Sequence, residues 1–183
     1  MSRIPTPATI ESAPALSQPL LTAVKRELGS VPNLFRLTAT SPATLDGYLG
    51  LNRALAKGSL DAATRERIAL AVAEINGCGY CLAAHAYLAK HVARLDDDEI
   101  EANRAATSAD PKAAAAVAFA AAVALRRGAV GDADLATVRS AGYSDAQLLE
   151  IVGHVALNTL TNYINEVFKT DIDFPAVRSK TAA

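Results

Sequence analysis

The amino-acid sequence predicts an all-α protein, on the basis of its alanine content, its helix-capping residues and its lack of strand-like segments. Hydrophobic residues make up 51% of the 183 positions, aromatic residues only 5%, and Trp is absent. Alanine and aliphatic residues must therefore form most of the core, and an excess of alanine favours helices. No segment alternates polar and apolar residues as a half-buried β-strand does. Because the length suits one domain, we predict a helical domain over 16–175, between an N-terminal arm (1–15) and a C-terminal tail (176–183).

The first 58 residues are predicted to hold the arm and the first helices. Three prolines in the arm exclude regular structure, so we expect it to lie over the body of the protein or over a neighbouring subunit. "SQPLLTAVKREL" (17–28) predicts a first helix, and "VPNLFRLT" (31–38) a short helical turn. Residues 41–58 predict another helix, because Ser41 is suited to cap its N-terminus.

Six further helices are predicted in the rest of the chain, each with its own boundary signals. They cover residues 61–77, 78–93, 96–105, 110–127, 132–142 and 145–170. Asp61 is suited to cap the first of them. Asp96 with Glu99, and Ser144 with Gln147, have the spacing of reciprocal capping boxes.

Charge and hydropathy exclude several classes of function. The 18 Lys and Arg residues are dispersed among 19 Asp and Glu residues, for a net charge of -1. This distribution argues against nucleic-acid and membrane-surface binding. No apolar stretch approaches the roughly 18 residues of a membrane span, and "MSRIPTPATIESAP" lacks the apolar region of a signal peptide. We therefore expect a soluble, cytoplasmic protein with no nucleic-acid or membrane partner.

The segment "GCGYCLAAH" contains the two cysteines of the chain, Cys78 and Cys81, followed by His85. In a reducing compartment a CxxC pair is more often catalytic or metal-binding than a structural disulfide. Asn76-Gly77 is suited to a left-handed helix end, which would place both thiols at the start of the next helix. There the helix dipole can lower a cysteine pKa from about 8.5 toward 7 or below. The spacing also places both sulfurs and the imidazole on one helix face.

Other interpretations of this cluster remain open at this point. Small buried cysteines in an alanine-rich core need have no chemical role. A zinc site would use the same side chains with a carboxylate, but structural zinc sites usually need a second Cys or His pair, which is lacking. Covalent haem attachment is excluded because Leu82, not histidine, follows the second cysteine.

The partner carboxylate and the roles of the other histidines also remain open. Glu66 and Glu74 are both candidates to complete a proton relay, and the residues alone do not choose between them. Glu74 is nearer in the chain, but a break at Gly77 would turn it away. His91 and His154 lie outside the motif, and we expect both to be satisfied structural residues.

The segment "ERIALAVAEINGCGYCLAAHAYLAK" (66–90) resembles the carboxymuconolactone decarboxylase superfamily, in its alkylhydroperoxidase AhpD-like branch. The pattern E-x11-C-x2-C-x3-H falls on Glu66, Cys78, Cys81 and His85. Residues 29–42 and 157–168 also look like the peroxidase-related subgroup. The resemblance implies an AhpD-like helical domain with the CxxC at the N-terminus of a central helix, no cofactor, and assembly into trimers or hexamers.

The resemblance also implies a mechanism and partners. Cys81 would attack a hydroperoxide and Cys78 would resolve the product as a disulfide. Glu66 and His85 would relay protons, while Tyr80 stands where AhpD has a further relay histidine and is a possible relay member, as is Glu74. The disulfide would be reduced by a dithiol, such as a lipoyl domain or a thioredoxin-like protein, and we expect Cys78 to be the more exposed thiol that meets it.

The sequence also leaves two functions open as alternatives to the peroxidase. The first is a lactone decarboxylase, although relatives with that activity lack the CxxC. The second is a non-enzymatic redox sensor whose dithiol switches its assembly.

Overall fold

The computed structural model describes residues 2–180, and within this range the chain forms nine α-helices and no β-strand. A 3₁₀ turn (Ala15–Ser17) precedes the first helix. The helices are α1 (Gln18–Leu28), α2 (Asn33–Thr38), α3 (Pro42–Ala56), α4 (Ala62–Ile75), α5 (Gly79–His91), α6 (Asp97–Arg104), α7 (Pro111–Leu125), α8 (Asp132–Ser140) and α9 (Asp145–Phe168). The all-α prediction is confirmed, and the predicted helix ends agree to within about two residues.

The helix starts are set by side-chain caps that lie next to them in the sequence. Asp61 accepts a hydrogen bond of 2.7 Å from the backbone N–H of Thr64 at the start of α4. Ser144 and Gln147 form the predicted reciprocal capping box at the start of α9. Such caps each contribute about 1 kcal/mol to helix stability.

The predicted capping box at the start of α6 forms only in part. Asp96 accepts a hydrogen bond of 2.8 Å from the backbone N–H of Glu99, as expected. The Glu99 carboxylate, however, accepts hydrogen bonds from Arg67, Ser108 and the backbone of Ala109 instead of returning to the cap. The prediction of a reciprocal bond was wrong because the partly buried guanidinium of Arg67 attracts the carboxylate more strongly than a single backbone N–H does.

The core is organised around α4, which packs against α5, α6, α7 and α9. Ile68 and Val72 of α4 belong to one buried cluster with Ala116 and Ala120 of α7 and Ile151 of α9. The alanines of α7 have short side chains, so the helix backbones can approach closely without leaving a void. None of the helices within residues 2–180 is both long and apolar enough to cross a membrane.

The N-terminal arm lies over the end of α9 in its own chain. The backbone N–H of Arg3 donates to the carbonyl of Phe168 at 2.7 Å, and the Arg3 guanidinium donates to the carbonyl of Val167 at 2.9 Å. The arm thus has no regular structure before the 3₁₀ turn, yet it is attached to the body by hydrogen bonds.

The C-terminal segment returns across α4, α5 and α6. Phe174 packs edge-on against the ring of Tyr80, and Ser179 donates to the carboxylate of Glu74 at 2.9 Å. The predicted tail therefore continues along the body as far as it is described, and residues 181–183 lie outside the described range. This segment covers the helix junction that carries the CxxC.

Candidate active site

The junction between α4 and α5 places Cys78 at a helix N-cap. Gly77 adopts a left-handed conformation with φ of +65° just after α4 ends, which a residue with a side chain rarely adopts. Cys78 is then extended, and its Sγ accepts a hydrogen bond of 3.3 Å from the backbone N–H of Cys81. The predicted CxxC at a helix N-terminus is confirmed, with Cys78 acting as the cap.

The expectation that Cys78 would be the more exposed thiol was wrong. Cys78 is 0% exposed and Cys81 3% exposed, and both are free thiols. As the cap, Cys78 turns its sulfur over the helix end, and Ile172 lies close enough to Gly79 that an added Cβ would be 3.8 Å from its Cδ1. Cys81 instead lines a cavity of about 120 Å³ between α2, α3, α4, α5 and α9, here called the Cys81 cavity, and Cys78 is not part of its lining.

Two asparagines of α9 that sequence reasoning missed surround the Cys81 sulfur. Asn165 donates from its side-chain amide to Cys81 Sγ at 3.2 Å. The side-chain oxygen of Asn162 accepts a hydrogen bond of 2.8 Å from Asn76, so the amide nitrogen of Asn162 remains available to the sulfur. Both asparagines are almost fully buried, at 2% and 0% exposed.

These contacts give the two thiols different acidities. Burial alone would raise the pKa of Cys81, but the hydrogen bond with Cys78 opposes it, followed by the charge of His85 and the two amides, and the pKa falls to about 7. About half of this thiol is therefore ionised at neutral pH. The hydrogen bond with Cys81, and then burial, raise the pKa of Cys78 above its usual value. The arrangement thus pairs a thiol of lowered pKa with a thiol of raised pKa.

Glu66 and His85 form a hydrogen-bonded pair at the rim of the cavity. Glu66 Oε2 lies 2.8 Å from Nδ1 of His85, and about a fifth of each side chain is exposed. Burial would lower the pKa of His85, but the carboxylate of Glu66 raises it above its usual value. The imidazole lies one helical turn from Cys81 on α5, and Glu66 favours its protonated form.

Tyr80 lines the cavity with its ring, but its hydroxyl is engaged elsewhere. The hydroxyl accepts a hydrogen bond of 3.1 Å from the backbone of Leu34 and donates to Asp173 at 2.8 Å. Burial raises the pKa of Tyr80 above its usual value. In this arrangement the phenol is a packing and anchoring group, and it is not aligned with the Glu66–His85 pair.

Glu74 lies outside the cavity and is part of a separate ion pair. Its carboxylate accepts a hydrogen bond of 2.7 Å from the guanidinium of Arg104, and both side chains are 6% exposed. Burial would raise the pKa of Glu74, but Arg104 and the C-terminal segment lower it. The structure therefore joins Glu66, and not Glu74, to the histidine of the motif.

The far side of the Cys81 cavity contains a histidine that sequence analysis treated as a satisfied structural residue. His154 is 4% exposed, lines the cavity, and its Nε2 has no hydrogen-bond partner within residues 2–180. Burial, and then the charge of Arg65, lower the pKa of His154 to about 4. His91, by contrast, is exposed on α5, and its ring lies against that of Tyr87 with centroids 4.4 Å apart and a tilt of 45°. Across residues 2–180, no group of three or more His, Cys, Asp or Glu side chains is placed to hold a metal ion.

Comparison with known proteins is consistent with this geometry. The model of the carboxymuconolactone decarboxylase family matches residues 42–122, which include the whole Glu66–His85 motif. A solved structure described as the alkylhydroperoxidase AhpD core of an uncharacterized peroxidase-related protein from Ralstonia eutropha JMP134 is 26% identical, with a TM-score of 0.84 over 94% of this chain and 92% of that one.

Two further solved structures share the fold at lower identity. An uncharacterized peroxidase-related protein from Silicibacter sp. TM1040 is 24% identical, with a TM-score of 0.78 over 91% of each chain. The apo form of a debrominase is 21% identical, with a TM-score of 0.75 over 92% of this chain and 91% of that one. The comparison with curated protein sequences gave no match. The family match over residues 42–122 and the shared fold together support a place in the carboxymuconolactone decarboxylase/AhpD-like superfamily.

Proposed function

We propose that the protein is a thiol peroxidase that reduces organic hydroperoxides through a Cys81–Cys78 dithiol cycle. The family match and the similar solved structure support a peroxidase-related or decarboxylase-type function. The single observation that favours the peroxidase is the state of Cys81: a thiol with a pKa of about 7, lining a cavity, with a second free thiol within its hydrogen-bonding distance.

In the first step the thiolate of Cys81 attacks the outer oxygen of the hydroperoxide. An S–O bond forms, the O–O bond breaks, and Cys81 becomes a sulfenic acid. The alkoxide that leaves takes a proton and departs as the alcohol. His85, held by Glu66 at 2.8 Å, supplies that proton directly or through a water. Such a positioned acid contributes about 100- to 10,000-fold to the rate.

In the second step Cys78 attacks the sulfur of the sulfenic acid. An S–S bond forms, the S–O bond breaks, and the hydroxide leaves as water with the proton of Cys78. The raised pKa of Cys78 keeps this thiol protonated until the sulfenic acid forms. An external dithiol then reduces the disulfide by exchange and becomes a disulfide itself; a lipoyl domain or a thioredoxin-like protein has the required chemistry.

The assembly that we propose is a homo-oligomer, as a trimer or hexamer. Apolar side chains of α9 remain partly exposed, including Leu160, Tyr163 and Val167, and they line a groove of about 660 Å³ together with residues of α7. Exposed apolar patches of this kind are common at subunit interfaces. Light scattering at several protein concentrations tests the assembly, and a monomer at all of them would contradict it.

A stopped-flow assay with an alkyl hydroperoxide and excess dithiothreitol tests the proposed function. The wild type should consume peroxide over many turnovers, and Cys81→Ser should reduce consumption to the background rate. Consumption by Cys81→Ser as fast as by the wild type would overturn the proposal. Turnover of a lactone that survives loss of both cysteines would favour a decarboxylase. A reversible disulfide that changes the assembly, without peroxide turnover, would favour a redox sensor.

A further inference from the structure

The Cys81 cavity is small, and its buried lining combines the polar His154, Asn158 and Thr161 with the apolar Leu34, Ala69 and Leu157. Its volume of about 120 Å³ is below the roughly 150 Å³ that accommodates a benzene molecule. The lining residues that reach solvent include Asn52, Glu66 and His85, whereas Cys81 and His154 are buried. A bound molecule therefore places only a few of its atoms beside Cys81 and meets polar side chains there.

The polar side belongs to one face of α9. Five buried polar residues recur on this face at spacings of three and four: His154, Asn158, Thr161, Asn162 and Asn165. Such a row lies on one side of a helix. Asn165 donates a hydrogen bond to the sulfur of Cys81, and Asn162 lies beside that sulfur. The hydroxyl of Thr161 donates to a carbonyl of its own helix, at 3.0 Å.

The two remaining residues of this face have polar capacity that the protein does not use. Asn158 donates one N–H to the carbonyl of His154 at 2.8 Å, which leaves its second N–H available. His154 Nε2 has no partner within residues 2–180. A buried polar atom without a partner costs about 1–3 kcal/mol, so an apolar side chain would be more stable here unless a water or a ligand supplies the missing hydrogen bond.

The charge state of this site favours an uncharged ligand group. The lowered pKa of about 4 keeps His154 neutral at pH 7, and a neutral imidazole both donates and accepts hydrogen bonds. Arg65, whose charge helps to lower the pKa of His154, directs its guanidinium to the carbonyls of Ala56 and Leu60 at 3.2 and 3.0 Å. A hydroxyl group fits this neutral site, since it also both donates and accepts.

We propose that His154 and Asn158 form a substrate subsite that hydrogen-bonds a hydroxyl group carried next to the O–O bond of a small hydroperoxide. The preferred substrates are then compact hydroxyalkyl hydroperoxides, and purely apolar hydroperoxides of the same size are weaker substrates. This inference rests on the proposed peroxidase function and adds the class of substrate to it.

A matched pair of peroxides tests the subsite. Hydroxymethyl hydroperoxide and ethyl hydroperoxide have equal numbers of heavy atoms and differ by a hydroxyl in place of a methyl group. Loss of one hydrogen bond in His154→Leu should lower kcat/KM for the hydroxyl-bearing peroxide about five- to tenfold and leave ethyl hydroperoxide within twofold. His154→Gln should restore part of the preference, and His91→Leu, at an exposed histidine, should change neither value. Hydrogen peroxide is measured in parallel, because hydroxymethyl hydroperoxide can release it.

Thermal unfolding supplies a second readout. His154→Leu should unfold at the same temperature as the wild type or higher, because it removes an unpartnered buried nitrogen. An unchanged preference between the two peroxides, or an equal loss for both, would overturn the subsite while leaving the peroxidase intact. A wild type that reduces neither peroxide would overturn the peroxidase, and the subsite with it.

Discussion

The hydrogen bond from Asn165 to Cys81 should determine how reactive the thiol is at neutral pH. Replacing Asn165 by Leu keeps a side chain of similar size in a position that is 2% exposed but removes the amide that donates to Cys81 Sγ at 3.2 Å. The thiolate loses a partner that the neutral thiol needs much less. The pKa of Cys81 should therefore rise.

The magnitude follows from the strength of this bond. A hydrogen bond to a charged group contributes about 1.5–3 kcal/mol, and about 1.36 kcal/mol moves a pKa by one. The pKa of Cys81 should rise from about 7 to about 8–9 in Asn165→Leu. The ionised fraction at pH 7 then falls from about a half to between about a tenth and a hundredth. The peroxide rate at pH 7 should fall about 5- to 50-fold and recover above pH 9, where the more basic thiolate is the stronger nucleophile.

Thiolate absorbance at 240 nm, recorded against pH, measures this pKa directly. Cys78 should not interfere below about pH 9, since its own pKa is raised. Asn103→Leu is a matched control, because Asn103 is also a fully buried asparagine but bonds to Glu99 and not to a cysteine. It should lower stability without moving the thiol titration. An unchanged titration in Asn165→Leu, or an equal change in both variants, would refute the reasoning.

Three further predictions concern proton transfer, resolution and acid stability. Glu66→Gln should lower kcat/KM for hydroperoxide about 100-fold or more. Glu74→Gln should change kcat/KM less than twofold. It should instead reduce the unfolding free energy in urea by about 3–5 kcal/mol, because it breaks a buried ion pair. Cys78→Ser should stop after one turnover in the absence of added thiol, with a sulfenic acid on Cys81 that mass spectrometry detects after trapping. Burial would raise the pKa of Glu99, but hydrogen bonds hold it at about 2, below the value of about 4.3 in the unfolded chain. The ionised carboxylate therefore stabilises the fold above about pH 4.3, and this contribution is lost as the pH falls toward 2. Glu99→Gln should flatten that loss of stability.

A specific result would contradict each of these three predictions. Equal kinetic losses in the two glutamate variants would show that Glu66 has no special role. A wild type that accumulated the same sulfenic acid on Cys81 as Cys78→Ser after one equivalent of peroxide would show that Cys78 does not resolve it. An acid unfolding curve unchanged by Glu99→Gln would place the acid sensitivity in other carboxylates.

The fold could be predicted well because most helix boundaries depend on neighbours in the sequence. Asp61, Asp110 and Ser144 each accept an N–H from two or three residues further on, so their local pattern is sufficient. Glu99 shows where local patterns fail to predict a contact, because its carboxylate accepts a hydrogen bond from Arg67, 32 positions away. A contact of that range depends on how helices pack, which a local pattern does not contain.

The choice between the two candidate glutamates needed more than the residues themselves. Glu66 and Glu74 lie eight positions apart on α4, which places them about 80° apart around the helix. That angle is enough to turn Glu66 toward His85 and Glu74 toward Arg104. The resemblance to the AhpD-like family favoured Glu66 at the outset, and the packing of α4 against α5 and α6 supplies the physical reason.

The contribution of α9 to the site was not foreseen. Asn165 lies 84 positions from Cys81, and polar residues on one face of a helix are usually solvent-exposed. A signal was nevertheless present, since four amide or imidazole residues recur at helical spacing between positions 154 and 165, in a segment whose other residues are apolar apart from two threonines and a tyrosine. In an apolar helix such a row indicates buried polar groups that need partners.

The central claim is that Cys81 reduces a hydroperoxide and Cys78 resolves it, and a single-turnover measurement tests it most directly. Reduced protein is mixed with one equivalent of tert-butyl hydroperoxide without added thiol, and the alcohol formed, the remaining thiols and the cysteine linkage are determined together. One alcohol per chain, loss of both thiols and an intramolecular Cys78–Cys81 disulfide are the predicted result. Unreacted peroxide with both thiols intact, or alcohol formed without that disulfide, would contradict the account.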